Sequence, residues 1–130
     1  MVILDSTFLI DLLRGNLSIK DKVNELDKGQ EEKYVTPITT MELYYGALKS
    51  CKKNEAKKVM ALLLSLNKLN FDFSSSLKAA EIQNNLTKKG LIIDIEDIMV
   101  AGIAKSVGQK ILTKNIKHFS RIEGLKVESY

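Results

Sequence analysis

The 130 residues are 45% hydrophobic and 28% charged, with one proline and no low-complexity stretch, which excludes a disordered chain and fits one globular domain spanning residues 1–130. The longest apolar stretch, Val59 to Leu66, is broken by Ser65 and falls short of the ~20 residues that span a bilayer; the first dozen residues carry two aspartates and no basic cluster, so a cytoplasmic protein without membrane span or signal peptide is expected. A single cysteine, Cys51, excludes an internal disulfide, and the formal net charge of +4 suits either a polyanionic partner or an ordinary lysine-rich surface.

Met1 to Leu4 reads as a strand ending at Asp5. Ser6 is placed to cap a helix on which Phe8, Leu9, Leu12 and Leu13 recur at helical spacing, and Arg14-Gly15 stops it. A second helix is predicted from about Ser18 to Lys28, burying Ile19, Val23 and Leu26. Tyr34 to Pro37 reads as the next strand, closed by the proline, after which Thr39 caps a helix carrying Met41, Leu43, Tyr44, Ala47 and Leu48. Beyond Asn54, Val59, Met60, Leu63 and Leu66 form the apolar face of another helix. Leu69 to Phe73 alternates as a short strand does, and Ser74-Ser75-Ser76 caps a helix ending at Lys88-Lys89-Gly90. Leu91 to Ile93 leads into a helix from about Ile95 to Val107, stopped by Gly108. Ile111-Leu112 is a buried strand, Phe119 and Ile122 anchor a turn, and Leu125 to Glu128 is the last strand. Strands separated by helices imply crossover connections, hence an α/β chain folded as a three-layer α/β/α sandwich around a mostly parallel sheet.

Four carboxylates, Asp5, Glu42, Asp94 and Asp97, sit where apolar runs give way to helices, and Asn115 follows another such run. Each acid has a structural explanation. Thr39 and Glu42 fit a capping box, Asp94 fits an N-cap, Asp97 suits the dipole of its own helix, and Asp5 could cap the first helix. Their joint placement points elsewhere. Asp94 and Asp97 share one face of a first turn, and the helix beyond them is almost wholly apolar, so these carboxylates meet low solvent exposure. Residues at the carboxyl ends of parallel strands converge in one crevice. With no matching Lys or Arg nearby, an all-oxygen cluster suits Mg²⁺ or Mn²⁺ better than zinc.

The residues Val2-Ile-Leu-Asp5-Ser-Thr-Phe-Leu-Ile-Asp-Leu-Leu-Arg-Gly15 resemble the start of PIN-domain proteins. So do Thr36-Pro-Ile-Thr-Thr-Met-Glu42-Leu-Tyr-Tyr-Gly46, Ile93-Asp94-Ile-Glu-Asp97-Ile-Met-Val-Ala-Gly102 and Ile111-Leu-Thr113-Lys-Asn115-Ile-Lys-His-Phe119. Together, in order and from end to end, they resemble the VapC-type toxins of VapBC toxin–antitoxin systems. The resemblance implies a PIN-like fold and a Mg²⁺- or Mn²⁺-dependent endoribonuclease. It also implies a homodimer held inactive by an antitoxin whose tail covers the acidic groove. By position it makes Asp5 and Asp97 the principal metal ligands, with Glu42 and Asp94 as further acids. Asn115 stands where many relatives carry a fourth Asp, leaving one negative charge fewer. Ser6, Thr7, Thr113 and His118 are candidates for substrate contact or support of the acids, and Asp11 is expected to pair with Arg14. Two other functions compete: a receiver-type phosphoacceptor domain, and a non-catalytic PIN-like module that binds RNA or protein.

Overall fold

The computed structural model describes residues Met1–Tyr130. Its five strands are short: β1 (Val2–Leu4), β2 (Lys33–Val35), β3 (Asn67–Lys68), β4 (Lys110–Leu112) and β5 (Val127–Glu128). They form one all-parallel sheet in the order β3-β2-β1-β4-β5. Seven helices connect and cover them: α1 (Ser6–Leu13), α2 (Lys20–Lys28), α3 (Pro37–Ser50), α4 (Glu55–Ser65), α5 (Phe73–Lys88), α6 (Ile95–Val107) and α7 (Ile116–Phe119).

Side-chain alternation along the strands divides the core between two faces. Val2, Leu4, Val35 and Leu112 pack with Phe8, Leu9, Leu26, Leu43 and Leu63 from α1 to α4. Ile3 and Ile111 pack on the other side with Ile82, Leu86, Ala101, Ala104 and Phe119 from α5, α6 and α7. Parallel strands buried on both faces need continuous apolar runs, which Val2-Ile3-Leu4 and Ile111-Leu112 supply. The result is the expected three-layer sandwich. The chain winds outward from β1 through β2 to β3, then returns to β4 on the opposite side of β1 and continues to β5. The reversal between β1 and β4 is a topological switch point, where a crevice opens at the strands' carboxyl ends.

Several local expectations are corrected. Pro37 does not close β2; it is the first residue of α3, where its missing N–H costs nothing and its fixed φ suits the helix. Thr36, not Thr39, is the N-cap: its hydroxyl accepts from the Thr39 amide at 3.2 Å. The proposed capping box of Thr39 with Glu42 is therefore absent, and Glu42 sits beyond the first turn. Asp5 rather than Ser6 occupies the N-cap position of α1, yet its carboxylate makes no capping bond. Asp72 caps α5 through a reciprocal pair with Ser75, displacing the role expected of the serine run alone. The third strand is Asn67–Lys68, just before the alternating stretch from Leu69. Met60 is 40% exposed, outside the buried face that Val59, Leu63 and Leu66 form. Cys51 is exposed and ends α3 in the left-handed conformation at φ 54°.

The tightest helix contact is between α5 and α6. A Cβ added to Gly102 would lie 2.7 Å from the Ser75 carbonyl oxygen and 2.8 Å from the Ala79 Cβ, against backbone that cannot yield cheaply. Replacing Gly102 with alanine is expected to destabilise the fold by about 1–3 kcal/mol through overpacking. Urea denaturation checks this: a lowered midpoint at unchanged slope is the expected result.

Candidate active site

Asp5 follows β1 directly, and its backbone amide donates to the Leu112 carbonyl at 3.1 Å, joining it to the end of β4. Thr113, the residue after β4, is fully buried and donates its hydroxyl to Asp5 Oδ2 at 2.6 Å. Thr7 adds a second donor to the same oxygen at 3.2 Å. Thr113 Oγ1 also accepts from the Asn115 amide at 2.8 Å, and Thr7 Oγ1 accepts from the Lys114 amide at 3.1 Å. The two threonines thus hold the loop after β4 against the start of α1. They fix one oxygen of Asp5 and leave Oδ1 without a protein donor.

Asp97 is treated alike. Asn115 Nδ2 donates to its Oδ2 at 3.3 Å, and His118 Nδ1 lies 3.2 Å from the same oxygen. His118 Nδ1 is also 2.9 Å from Asn115 Nδ2, so the ring nitrogen accepts from Asn115 in one tautomer and donates to Asp97 in the other. Asp97 Oδ1 keeps no protein partner. One oxygen held and one free on each aspartate is the arrangement a ligand-binding carboxylate needs.

Asp5, Glu42, Asp94, Asp97 and Asn115 all line one cleft of about 620 Å³, together with Ser6 and Thr7. Asp5 comes from the end of β1, Glu42 from α3, Asp94 and Asp97 from the start of α6, and Asn115 from the loop after β4. Only Asp5 and Asn115 follow strands; the run Leu91 to Ile93 is outside the sheet, so Asp94 reaches the cleft as the residue preceding α6. Thr113 and His118 stand behind the wall and act through Asp5 and Asp97. Sequence reasoning missed Glu96 as a fifth carboxylate of the cleft, and Ile38, Met41, Tyr45 and Met99 as its apolar wall. For the α3 residues the signal was available: Ile38, Met41, Glu42 and Tyr45 recur at helical spacing.

The lining contains five carboxylates and no lysine or arginine. Electrostatic crowding follows. Asp97 is pushed above the usual carboxylate range, first by burial and then by the charges of Asp5 and Asp94, against the opposing pull of His118. Glu42 is raised as well, first by loss of solvent and then by Asp5, Asp97 and Glu96, with the Ser6 hydroxyl pulling the other way. Even so, no group of three or more acidic, histidine or cysteine side chains is drawn close enough to form a ready-made metal cage. The donors are gathered in one cleft but not yet converged.

Asp11 behaves differently from the expectation of an Arg14 pair. It is buried and takes Lys114 as its ion partner, with Asn16 Nδ2 at 2.6 Å and the Tyr130 hydroxyl at 2.9 Å. Lys114 holds its carboxyl below the usual range. This cluster braces the β4–α7 loop from behind and does not line the cleft.

A PIN domain family model matches residues 2–125. The tRNA(fMet)-specific endonuclease VapC of Salmonella typhimurium is 30% identical over 128 residues, covering 95% of this chain and 97% of that protein. Ribonuclease VapC1 of Rickettsia felis is 32% identical over 130 residues, covering 97% and 93%. Among solved structures, VapBC2 from Rickettsia felis bound to a promoter DNA fragment matches with a TM-score of 0.89 at 28% identity, over 100% of this chain and 99% of that one. DNA-bound VapBC from Salmonella typhimurium matches with a TM-score of 0.82 at 28% identity, over 98% and 96%.

An aspartate whose folded pKa is raised opposes folding while it is ionised. That penalty is complete above the folded pKa and vanishes below the unfolded one. Asp97→Asn is therefore expected to raise the melting temperature of the metal-free protein at neutral pH, with the gain shrinking as pH falls through the carboxylate range. Thermal melts across that range check it. A lower melting temperature at neutral pH would instead assign Asp97 to helix capping.

Proposed function

The chain belongs to the PIN-domain family, among its VapC ribonucleases, and from that footing we propose that it is a Mg²⁺- or Mn²⁺-dependent endoribonuclease acting as the toxin of a type II toxin–antitoxin pair. The observation that carries this is the cleft itself: acids from three remote stretches of sequence meet at the switch point with no basic residue among them. RNA is anionic, so this cleft repels its own substrate unless a cation intervenes.

The donor set fits such a cation. It is all oxygen, which suits a hard divalent ion, and the unbonded Oδ1 atoms of Asp5 and Asp97 are free to serve as ligands, with Glu42 and Asp94 beside them. When bound there, the ion supplies a Lewis acid for the scissile phosphate and lowers the pKa of the attacking water. The protein's own groups do the rest. Thr7 and Thr113 orient Asp5, and Asn115 and His118 orient Asp97. Glu42, with its raised pKa, is suited to accept the proton of the attacking water. In-line attack on phosphorus then breaks the bond to the 3′ oxygen, leaving a 5′-phosphate and a 3′-hydroxyl. The acidic cleft with its apolar wall is also the surface that an antitoxin would cover, and the active species is proposed to be a homodimer.

The receiver-type alternative is disfavoured by topology. Receiver domains share the flavodoxin-like strand order 2-1-3-4-5, whereas here β1 lies between β2 and β4. Nor does β2 end on an acid: Thr36 and Pro37 follow it. A non-catalytic binding module would have no need to gather five carboxylates in one cleft, and the cleavage test separates it directly.

Incubation of the protein with single-stranded RNA in Mg²⁺ or Mn²⁺ is expected to give 5′-phosphorylated fragments, and chelator is expected to stop the reaction. Asp5→Asn and Asp97→Asn are expected to lose more than the ~10–100-fold typical of an outer-shell partner. Wild-type rates in either variant, or cleavage undiminished by chelator, would refute the proposal.

A further inference from the structure

The distribution of charge identifies a second functional surface. The ten residues from Lys49 to Lys58 contain five lysines and one glutamate, Glu55. The other fifteen basic residues are matched by fifteen acids, so the entire formal charge of +4 resides in this one segment. It is the turn joining α3 to α4 together with its flanking ends. Lys49, Lys52, Lys53, Lys57 and Lys58 are all exposed, and none forms an ion pair. The turn is held in shape by two residues in the left-handed conformation, Cys51 at φ 54° and Asn54 at φ 65°. Leu43, Ala47, Val59 and Leu63 bury the facing sides of α3 and α4, which leaves the lysines no interior partner.

This turn is connected to the acidic cleft by one stripe of α3. Met41, Tyr45 and Lys49 are spaced four apart, so they follow one another along the same side of the helix. Met41 and Tyr45 line the cleft, and both are largely exposed, at 76% and 63%. Lys49 lies one turn beyond Tyr45, about 10 Å along the helix axis from Glu42. An exposed aromatic ring followed by unpaired cations is the pattern that binds single-stranded nucleic acid without sequence preference: the ring stacks a base and the cations track the backbone. Because α3 carries Glu42 as well, the distance from acid to ring to lysines is set by a single rigid element.

We infer that single-stranded RNA leaving the acidic cleft runs along α3, with a base stacked on Tyr45 and the following phosphates held by Lys49 and the lysines of the α3–α4 turn. This rests on the ribonuclease reading above. It adds a substrate requirement: the RNA must extend past the cut on one side to gain these contacts. Neutralising Z phosphates on a single strand gives a salt dependence of about −0.7Z, so each lysine lost from the track lowers the slope by a fixed step.

The test uses the full-length chain in an Asp97→Asn background, so that RNA is bound without being consumed. Fluorescein-labelled single-stranded RNAs of about 20 and about 2 nucleotides are titrated by anisotropy at several salt concentrations, the dinucleotide being too small to occupy cleft and turn together. Replacing all five lysines by glutamine is expected to reduce the magnitude of the salt slope for the longer RNA by about 3.5 and to remove its affinity advantage over the shorter one. Arginine at the same five positions is expected to restore both. Tyr45→Ala is expected to weaken binding of the longer RNA by roughly tenfold, and Tyr45→Phe to keep it, because the stacking face is retained. An unchanged slope in the glutamine variant, or a retained length preference, overturns the track. If Tyr45→Ala instead dissociates a dimer in sedimentation with RNA affinity intact, this face belongs to a second copy and the track is overturned. Cleavage by the wild type in Mg²⁺ is scored separately: cleavage with an unmoved slope removes the track and leaves the nuclease, whereas no cleavage and no binding removes both.

Discussion

Like-charge crowding at the switch point is the constraint around which this molecule is built. Five carboxylates border one cleft with no cation among its lining residues, and Asp97 and Glu42 respond by holding their protons more tightly. Such an arrangement opposes folding, so the remainder of the structure has to offset it. It does so through the strands beneath. Val2, Ile3, Leu4, Ile111 and Leu112 are essentially inaccessible, packed from both sides by helices, and they hold the ends of β1 and β4 in contact regardless of what their terminal side chains prefer. The threonine pair then converts that contact into orientation. Thr113 and Thr7 share Asp5 Oδ2, and the same loop carries Asn115 to Asp97. Placement of Asp5 against Asn115 is therefore a consequence of sheet registry, with hydrogen bonds refining it, while α3 and α6 bring the other acids to the same cleft.

Much of this was legible in the sequence, and the reasons differ by element. Apolar runs mark β1 and β4 cleanly, since their burial on both sides leaves no polar face to confuse the pattern, and Gly15 and Gly108 mark the ends of α1 and α6. Joint occurrence of Asp5, Glu42, Asp94, Asp97 and Asn115 next to such runs was enough to expect a common cleft. What escaped was local. Thr36-Pro37 can end a strand or open a helix, and only the buried Thr36 hydroxyl reaching the Thr39 amide decides it. That choice matters for function, because a capping box would have turned Glu42 back onto its own backbone. Asp11 illustrates a different limit. Its partners Lys114 and Tyr130 are more than a hundred residues away, so no spacing rule could find them, and the nearby Arg14 was the natural but incorrect choice.

Helix α3 joins these levels. Its N-terminus packs into the sheet by way of Thr36 and Thr39, its interior face is fixed by Leu43 and Ala47, and its remaining surface is divided between the acid Glu42 and the exposed Met41 and Tyr45. As one continuous helix, it gives the cleft wall and the basic turn a defined separation. A loop in the same place would carry the same residues without a defined distance between them.

That separation has an electrostatic purpose. Lysines inside the cleft would pair with its carboxylates, neutralise them and compete with any divalent ion for the same oxygens. At ~10 Å from Glu42, beyond the Debye length of about 8 Å at physiological ionic strength, the basic turn is screened from the acids by intervening salt. It can attract a polyanion without quenching the acidic cleft. Under the RNA track proposed above, the two fields would act on different phosphates of one strand: those at the turn held by permanent positive charge, and the one at the cleft meeting positive charge only when an ion is present. On the proposed reading, RNA would be retained in the absence of metal and cut only in its presence, so that binding and cleavage would be governed by separate charges.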